Sequence, residues 1–273
     1  MANTNKSSLD VLPKISVQET TYEKIRELIL TGGIEPGKTV PVQSLSDLFG
    51  VSAMPVREAL RRLAAEGALT VIGGRSVGIP RLTVDRLEDL RRVRIELETT
   101  ATNWAIRSIT ADNIAELTHA TAMMDLAIEQ GSRVGYVTAN HNFHFAIYRA
   151  TGSETLVSLI QTLWMQIGPY FSLLDHSGNW RLANAQHRAI CDALTKKDIR
   201  SARQALQDDI NGGLGVLKDI LIEKRKSERK STVLKTTSKH ATLSLGGAGV
   251  TEGPRQQDPA SDGSSHRSKA GTR

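Results

Sequence analysis

The sequence predicts a mainly α-helical protein built from two parts. Its first 80 residues contain three short helical segments, followed by two short apolar strands around a glycine turn. From residue 83 onward, apolar residues recur at helical spacing and strand signals are almost absent. Short polar breaks separate these later helices, so neighbouring helices are expected to run in opposite directions as an antiparallel bundle.

Capping signals define the helices of the first part. Two segments with the form of capping boxes, Thr20–Glu23 and Ser44–Asp47, predict where the first two helices begin. Ser52 is placed to cap a third helix, with Pro55 in its first turn, where a missing amide hydrogen costs little. This third helix is expected to end at Gly67.

A hairpin follows the third helix. Residues 68–72 and 77–80 are expected to form two strands around Gly73-Gly74-Arg75-Ser76, a turn that carries one cation. Three helices and such a hairpin predict a winged helix-turn-helix over residues 18–80, preceded by an arm of residues 1–17. In that fold the third helix enters the major groove of DNA and the wing reaches the minor groove. A three-helix module for protein contacts is the alternative that the pattern leaves open.

The second part is expected over residues 83–224 as six or seven helices. The predicted helices are Val84–Ser108, Ala111–Gln130, Ser132–Thr151, Glu154–Asp175, Leu182–Thr195 and Lys197–Lys224. Residues 225–273 are rich in Ser, Thr, Gly and cations, and they predict a disordered basic tail. The net charge of +6 comes from this end, because residues 224–273 carry +7 and residues 81–223 carry −2. Overall charge is therefore a weak argument for specific DNA binding.

Composition excludes several classes of protein. Cys191 is the only cysteine, so neither an intrachain disulfide nor a cysteine-based zinc cluster can form, and we expect this thiol to act as a small buried hydrophobe. No run of about 20 apolar residues could span a membrane. The N-terminus lacks an apolar run behind a basic start. We therefore expect a cytoplasmic protein.

Four polar residues of the bundle are spaced as metal ligands could be. Asn140 and His144 are four residues apart and share one face of a helix, while His187 and Asp209 lie on later helices. Imidazole, carboxylate and amide oxygen together suit zinc, nickel or manganese. Histidines on helices are also common as ordinary core or surface residues, so spacing alone leaves both interpretations open.

The first part resembles the DNA-binding domain of GntR-family regulators. The resemblance covers residues 22–80 and rests on the segments Ile34–Gly37, Leu45–Ser52 and Pro55–Gly67. It implies that operator DNA is contacted by Ser52 and Arg57 on the third helix, and by Gly73, Gly74 and Arg75 in the wing. Many relatives carry an arginine at the position of Ala53, so a bidentate guanine contact is missing and the operator is expected to differ.

The second part resembles the FCD effector domain of the FadR-like branch. The matching segments are Leu87–Glu98, Asn140–His144 and His187–Leu194. In many members an aspartate and three histidines bind a metal, and the resemblance places these four ligands at Asn140, His144, His187 and Asp209. Two of the four match in residue type. The alternative is a metal-free pocket in which these residues hydrogen-bond an effector directly.

The resemblance also suggests what the second part senses. Arg94 matches an arginine that faces the effector in relatives, so a small carboxylate is expected near Arg94, His144 and His187. An ion pair with Glu98, four residues later, is the alternative role for Arg94. Four aromatic residues either wall the pocket or belong to the core: Trp104, Trp164, Tyr170 and Phe171.

The expected function is a homodimeric repressor that a small organic acid releases from a palindromic operator. One rival is a metal-dependent hydrolytic enzyme with a DNA-binding appendage. Because the sequence shows no evident general base, HExxH motif, nucleophile elbow or phosphate loop, we expect no enzyme. A second rival is an architectural DNA-coating protein that uses the basic tail, but the separate bundle with a polar interior argues against it.

Overall fold

The computed structural model describes residues 16–174 and 179–244, without the side chains of Asn179 and of residues 229–244. In this part of the chain the helices are α1 Val17–Leu30, α2 Val42–Phe49, α3 Ala53–Ala65, α4 Val84–Ser108, α5 Ala111–Glu129, α6 Arg133–Arg149, α7 Glu154–Phe171, α8 Asn179–Thr195 and α9 Ile199–Ser244. The strands are β1 Thr39–Pro41, β2 Thr70–Ile72 and β3 Ser76–Gly78, and a 3-10 turn covers Ser172–Leu174. The predicted class, mainly α-helical with a winged N-terminal part and a helical C-terminal part, is confirmed.

Helices α1 to α3 pack with a three-stranded antiparallel sheet of order β1-β3-β2. Ile25 and Ile29 of α1, Val56 and Leu63 of α3 and Val77 of β3 are fully buried and form the centre of this core. The strand β1, which pairs with β3, is absent from the sequence prediction, because three residues are too few for a period to show.

The predicted starts of the first two helices are wrong. α1 begins at Val17, where the backbone amide of Glu19 donates a hydrogen bond of 3.1 Å to Ser16 Oγ. α2 begins at Val42, so Ser44 lies inside it. Hydroxyl residues in these helices bond backward instead, as Thr21 does to the carbonyl of Val17. Side chains that can cap a helix can equally bond the preceding turn, which makes the capping pattern ambiguous.

Most of the bundle follows the prediction. α4 has the predicted bounds, and its N-cap Thr83 accepts a hydrogen bond from the Arg86 amide. α7 ends at Phe171, after Pro169 enters its last turn, and the 3-10 turn follows. α9 spans Ile199–Ser244 and is therefore longer than the predicted helix Lys197–Lys224. Residues 225–244 contain neither Gly nor Pro, so no residue in the segment breaks the helix. The predictions for residues 1–15, 175–178 and 245–273 lie outside the described residues.

The bundle buries charged side chains together with apolar ones. Arg94 is 3% exposed and Glu98 is fully buried, whereas Val93 of the same helix is 40% exposed. α4 is therefore turned so that an ion pair, rather than a valine, faces the interior. No helix of the described residues is long and apolar enough to cross a membrane.

α7 joins the two parts of the chain. Tyr170 Oη donates a hydrogen bond to the Pro80 carbonyl and accepts one of 2.9 Å from the Leu82 amide. Gln166 Nε2 donates a bond of 3.4 Å to the Glu66 carbonyl, and its Oε1 accepts one of 2.7 Å from Arg86. Gly168 packs so closely that an added Cβ would lie 2.8 Å from Leu30 Cδ2 of α1.

The close approach at Gly32 gives a test of this junction. A Cβ on Gly32 would lie 2.9 Å from Ser172 Cβ, and the backbone φ of +75° is strained for alanine. Gly37 has a similar φ of +84° with nothing within 4 Å of the added Cβ. We expect Gly37→Ala to lower the free energy of unfolding by about 1 kcal/mol. Gly32→Ala should lower it by about 2–4 kcal/mol, because overpacking is added to the same strain.

Urea denaturation of both variants measures this difference. If both variants lost the same free energy of unfolding, the contact between Gly32 and Ser172 would be absent in solution.

Candidate functional site

The five residues expected to contact DNA lie on exposed positions of α3 and the hairpin. Ser52 is the N-cap of α3, but its side chain makes no capping hydrogen bond, which leaves the hydroxyl available. Arg57 Nη1 donates a hydrogen bond of 2.9 Å to the Gly74 carbonyl. The hairpin tip is therefore tied to the exposed face of α3.

The turn between β2 and β3 depends on its two glycines. Gly73 and Gly74 have φ of 57° and 69°, a left-handed conformation that glycine adopts without a Cβ penalty. The carbonyl of Arg75 accepts a bond of 2.9 Å from the Val42 amide, which anchors the turn to α2. The Arg75 backbone is thus fixed, while the residue as a whole is exposed.

Another cation of α3 is used within the protein. Arg62 donates a hydrogen bond of 2.9 Å to Glu19, and its guanidinium lies 3.7 Å from the centre of the Tyr22 ring. Burial, together with the neighbouring Glu66, raises the pKa of Tyr22 to about 12. Arg62 therefore fastens α3 to α1, whereas Arg57 and Arg75 lie at the exposed face.

Inside the bundle, three of the predicted ligand residues meet. His144 of α6 and His187 of α8 have their Nε2 atoms 3.3 Å apart. Each also contacts one carboxylate oxygen of Asp209 on α9, at 3.3 Å from His144 and 3.4 Å from His187. Asn140, the fourth predicted residue, lies one helical turn before His144, and both line a cavity in the bundle.

The electrostatics of this group suit cation binding. Burial lowers the pKa of His187 to about 4, against a partial opposing effect of Asp209. Burial would raise the pKa of Asp209, but His187 and His144 outweigh it and the pKa is lowered. At neutral pH, His187 is therefore a neutral imidazole and Asp209 a carboxylate, the forms that coordinate metals.

The donor set fits a divalent ion. One ligand atom from each of His144, His187 and Asp209 can be chosen so that all three lie within 4.8 Å of one another. Two imidazoles with a carboxylate are a recurrent ligand set for zinc and similar borderline ions.

Arg94 forms a buried ion pair with Glu98, the alternative role that the sequence analysis gave for this arginine. Its Nε and Nη2 donate to the two oxygens of Glu98, at 2.6 and 3.3 Å. Tyr148 Oη and Trp164 Nε1 donate to the same carboxylate, at 2.5 and 3.1 Å. Burial and the Glu98 carboxylate raise the pKa of Tyr148, which keeps its proton on the hydroxyl.

A cavity of about 50 Å³ adjoins His144 and Asp209, whereas His187 is not among the residues that line it. Its wall includes Arg94, Asn140, His144, Trp164, Phe171 and Asp209. A water needs roughly 10–15 Å³ of such space, so the cavity has room for an ion with a few waters or for a small acid group. Trp164 and Phe171 thus wall it, while Tyr170 bonds to the segment between the two parts and Trp104 is 50% exposed.

The sequence analysis does not predict a site role for two buried residues, Tyr148 and Asn184. It names Glu98 only as a possible partner of Arg94. Each lies three or four residues from a predicted site residue on the same helix. Spacing of that kind places them on the same helical face, so it was the available signal.

Two family models match the chain. The model described as "Bacterial regulatory proteins, gntR family" matches residues 17–79, and that of the FCD domain matches residues 89–212. Together they span the winged part and most of the bundle.

Individual proteins show the same similarity. The HTH-type transcriptional regulator McbR of Escherichia coli K12 is 28% identical over 206 residues, which cover 74% of this chain and 93% of McbR. The uncharacterized HTH-type transcriptional regulator YdhC of Bacillus subtilis is 25% identical over 205 residues, covering 74% and 91%.

Solved structures agree. E. coli McbR/YncC superposes with a TM-score of 0.71 at 26% identity, covering 75% of this chain and 98% of that structure. A putative GntR regulator from Rhodococcus sp. RHA1, at 18% identity, shares the fold with a TM-score of 0.61 and coverage of 73% and 96%.

The buried ion pair predicts a large effect of one substitution. Glu98→Gln leaves the Arg94 guanidinium buried without its counter-charge, so we expect the free energy of unfolding to fall by about 3–5 kcal/mol. Glu96→Gln, on the exposed face of the same helix, should change it by less than about 0.5 kcal/mol. Urea unfolding of the two variants decides the matter, and equal stability would contradict the buried pair.

Proposed function

The chain belongs to the GntR family of transcriptional regulators, in the FadR-like branch with an FCD domain, and from this membership we propose a repressor that a small organic acid releases from its operator. Its named relatives are transcriptional regulators rather than enzymes. The observation that carries the proposal is the pairing of an exposed polar face on α3 and the hairpin with a buried ligand site in the bundle. We assign DNA binding to residues 18–80 and effector binding to residues 83–224, and place the protein in the cytoplasm with its operator.

In the DNA-bound form, α3 lies in the major groove and the hairpin reaches the adjacent minor groove. Ser52 and Arg57 contact the operator from α3. Gly73 and Gly74 let the wing backbone approach the minor groove closely, and Arg75 contacts phosphate or groove. A homodimer presents two such surfaces, which matches a palindromic operator.

In the bundle, His144, His187 and Asp209 would hold a divalent ion such as zinc, nickel or manganese, with Asn140 as an amide-oxygen ligand. Such an ion would supply a positive charge that attracts the carboxylate of the effector. Arg94 reinforces this attraction, because its bonds to Glu98 use two of five guanidinium N–H donors and it lines the cavity. We therefore assign the effector site to Arg94 and His144, which line the cavity, and to His187, which contributes through the ion.

α7 provides the route from effector to operator. Trp164 lines the cavity, and Gln166, two residues later, bonds to Arg86 and to the Glu66 carbonyl at 3.4 Å. An acid that binds better to one position of α7 shifts the dimer toward the corresponding spacing of its two α3 helices. Operator affinity changes by the same differential free energy.

The wing contact gives a prediction for DNA binding. Arg75→Ala should weaken binding to a duplex that the wild-type chain selects from a random-sequence pool by about 5- to 50-fold. It should also reduce the slope of log affinity against log salt by about one, because one phosphate contact is lost. Arg107→Ala, an exposed cation at the end of α4, is the control and should change neither. Fluorescence anisotropy measures both values, and an unchanged affinity and slope for Arg75→Ala would remove Arg75 from the interface.

The ligand site predicts a linked response to metal and acid. Protein freed of metal and reloaded with Zn²⁺ should rise in melting temperature and rise further with an acid from a panel of short-chain carboxylic acids. The same acid should release the selected duplex. In His187→Ala both the metal and acid shifts should be lost, while exposed His119→Ala should behave as wild type.

These measurements separate the two parts of the proposal. Acid stabilisation without Zn²⁺ binding would mean that the polar residues bind the effector directly. Neither response in the wild-type chain would refute the sensing role.

A further inference from the structure

The orientation of the buried Asn184 amide is fixed by its neighbours. Its Nδ2 lies 2.6 Å from Asp125 Oδ1 and 3.4 Å from the Thr121 carbonyl. Both partners can only accept hydrogen bonds, so the NH₂ end must face them. The side-chain carbonyl of Asn184 must then face the other way, toward His187.

This orientation fixes the proton on His187. Asn184 Oδ1 lies 3.3 Å from His187 Nδ1 and can only accept, so Nδ1 carries the hydrogen. The lone pair is therefore on Nε2, the atom that faces Asp209 and His144. The amide thereby selects the tautomer that can bind a cation at this position.

A surface ion pair holds the arrangement from outside. Arg188 Nη2 donates to both oxygens of Asp125, at 2.5 and 2.7 Å, and the two side chains are 53% and 44% exposed. Asp125 lies on α5, whereas Asn184, His187 and Arg188 lie on α8. The chain of contacts thus runs from the surface between α5 and α8 inward to a ligand nitrogen.

His144 is fixed in the same sense by different residues. Tyr148 donates its single hydroxyl hydrogen to Glu98, so toward His144 Nδ1, 3.3 Å away, its oxygen can only accept. His144 then also carries its hydrogen on Nδ1. The two Nε2 lone pairs and the Asp209 carboxylate therefore face one another with no hydrogen-bond donor among them. A bound cation would remove the repulsion between these electron-rich atoms.

We propose that Asn184 and Asp125 are positioning residues for the metal site, because together they hold His187 in its Nε2-coordinating tautomer. This inference rests on the proposed ion at His144, His187 and Asp209, and adds a dependence on a contact that reaches the protein surface. Such outer partners of a metal-bound histidine typically contribute 10- to 100-fold to metal affinity.

Two variants of the full chain test the role of Asn184. Asn184→Leu removes the acceptor and keeps the branched shape of the side chain, and we expect Zn²⁺ affinity, measured by chelator competition, to fall 10- to 100-fold. The double variant Asn184→Asp with Asp125→Asn exchanges the carboxylate and the amide. A carboxylate then accepts from His187, so affinity should lie well above that of Asn184→Leu. It should not exceed that of wild type, because Arg188 loses its carboxylate partner and the Thr121 carbonyl loses its donor. Asn142→Leu, at an exposed position of α6, is the control and should leave affinity unchanged.

A second readout does not need the metal. Long-range ¹H–¹⁵N correlation of the imidazole rings in the metal-free chain reports which nitrogen of His187 carries hydrogen. We expect the Nδ1–H form in wild type and in the double variant, and a shift toward Nε2–H in Asn184→Leu.

The outcomes distinguish this inference from the proposed function. Equal Zn²⁺ affinity and an unchanged tautomer in Asn184→Leu, or a double variant as weak as Asn184→Leu, would overturn the positioning role while leaving the metal site intact. A wild-type chain without Zn²⁺ affinity would overturn both the metal site and the role assigned to Asn184.

Discussion

The helical domain depends on the hydrogen bonds and the ion pair that the buried Glu98 carboxylate makes. A charge in an apolar interior is tolerated only when its oxygens are fully paired. Here the partners come from three helices, with Arg94 on the same helix α4, Tyr148 on α6 and Trp164 on α7. These bonds have stricter geometry than apolar packing, so they fix how α4, α6 and α7 meet. Because Arg94 and Trp164 also line the cavity, the same bonds fix the positions of its walls.

The same helices connect the site to the DNA-binding part. α7 has a glycine, Gly168, where it packs against α1, so the two helices approach closely. Tyr170 of α7 hydrogen-bonds to the chain between the two parts. α7 thus contacts the cavity through Trp164 and α1 through Gly168, and this is the contact path that the proposed effector response would use.

Much of this architecture was predictable from periodicity and local chemistry. The bounds of α4 and the position of Ser52 directly before α3 followed from caps and apolar spacing, although the Ser52 side chain makes no capping hydrogen bond. The meeting of His144, His187 and Asp209 was expected by resemblance, because their spacing alone was ambiguous. The role of Asn184 could not be predicted, since it depends on which acceptors lie on another helix. Burial of Glu98 was equally hidden, because a glutamate on a helix is ordinarily solvated.

Charge balance explains why the proposed effector is an anion. The Arg94–Glu98 pair is neutral, and the histidines bind a cation as neutral rings, so Asp209 alone opposes a divalent ion. The occupied site would carry about one net positive charge inside a bundle, which is unfavourable without a counter-ion. A carboxylate at Asn140 would remove that excess, but an amide stands there and contributes no charge. The remaining charge therefore favours a ligand with one carboxylate, and the asparagine leaves that charge for the ligand to neutralise.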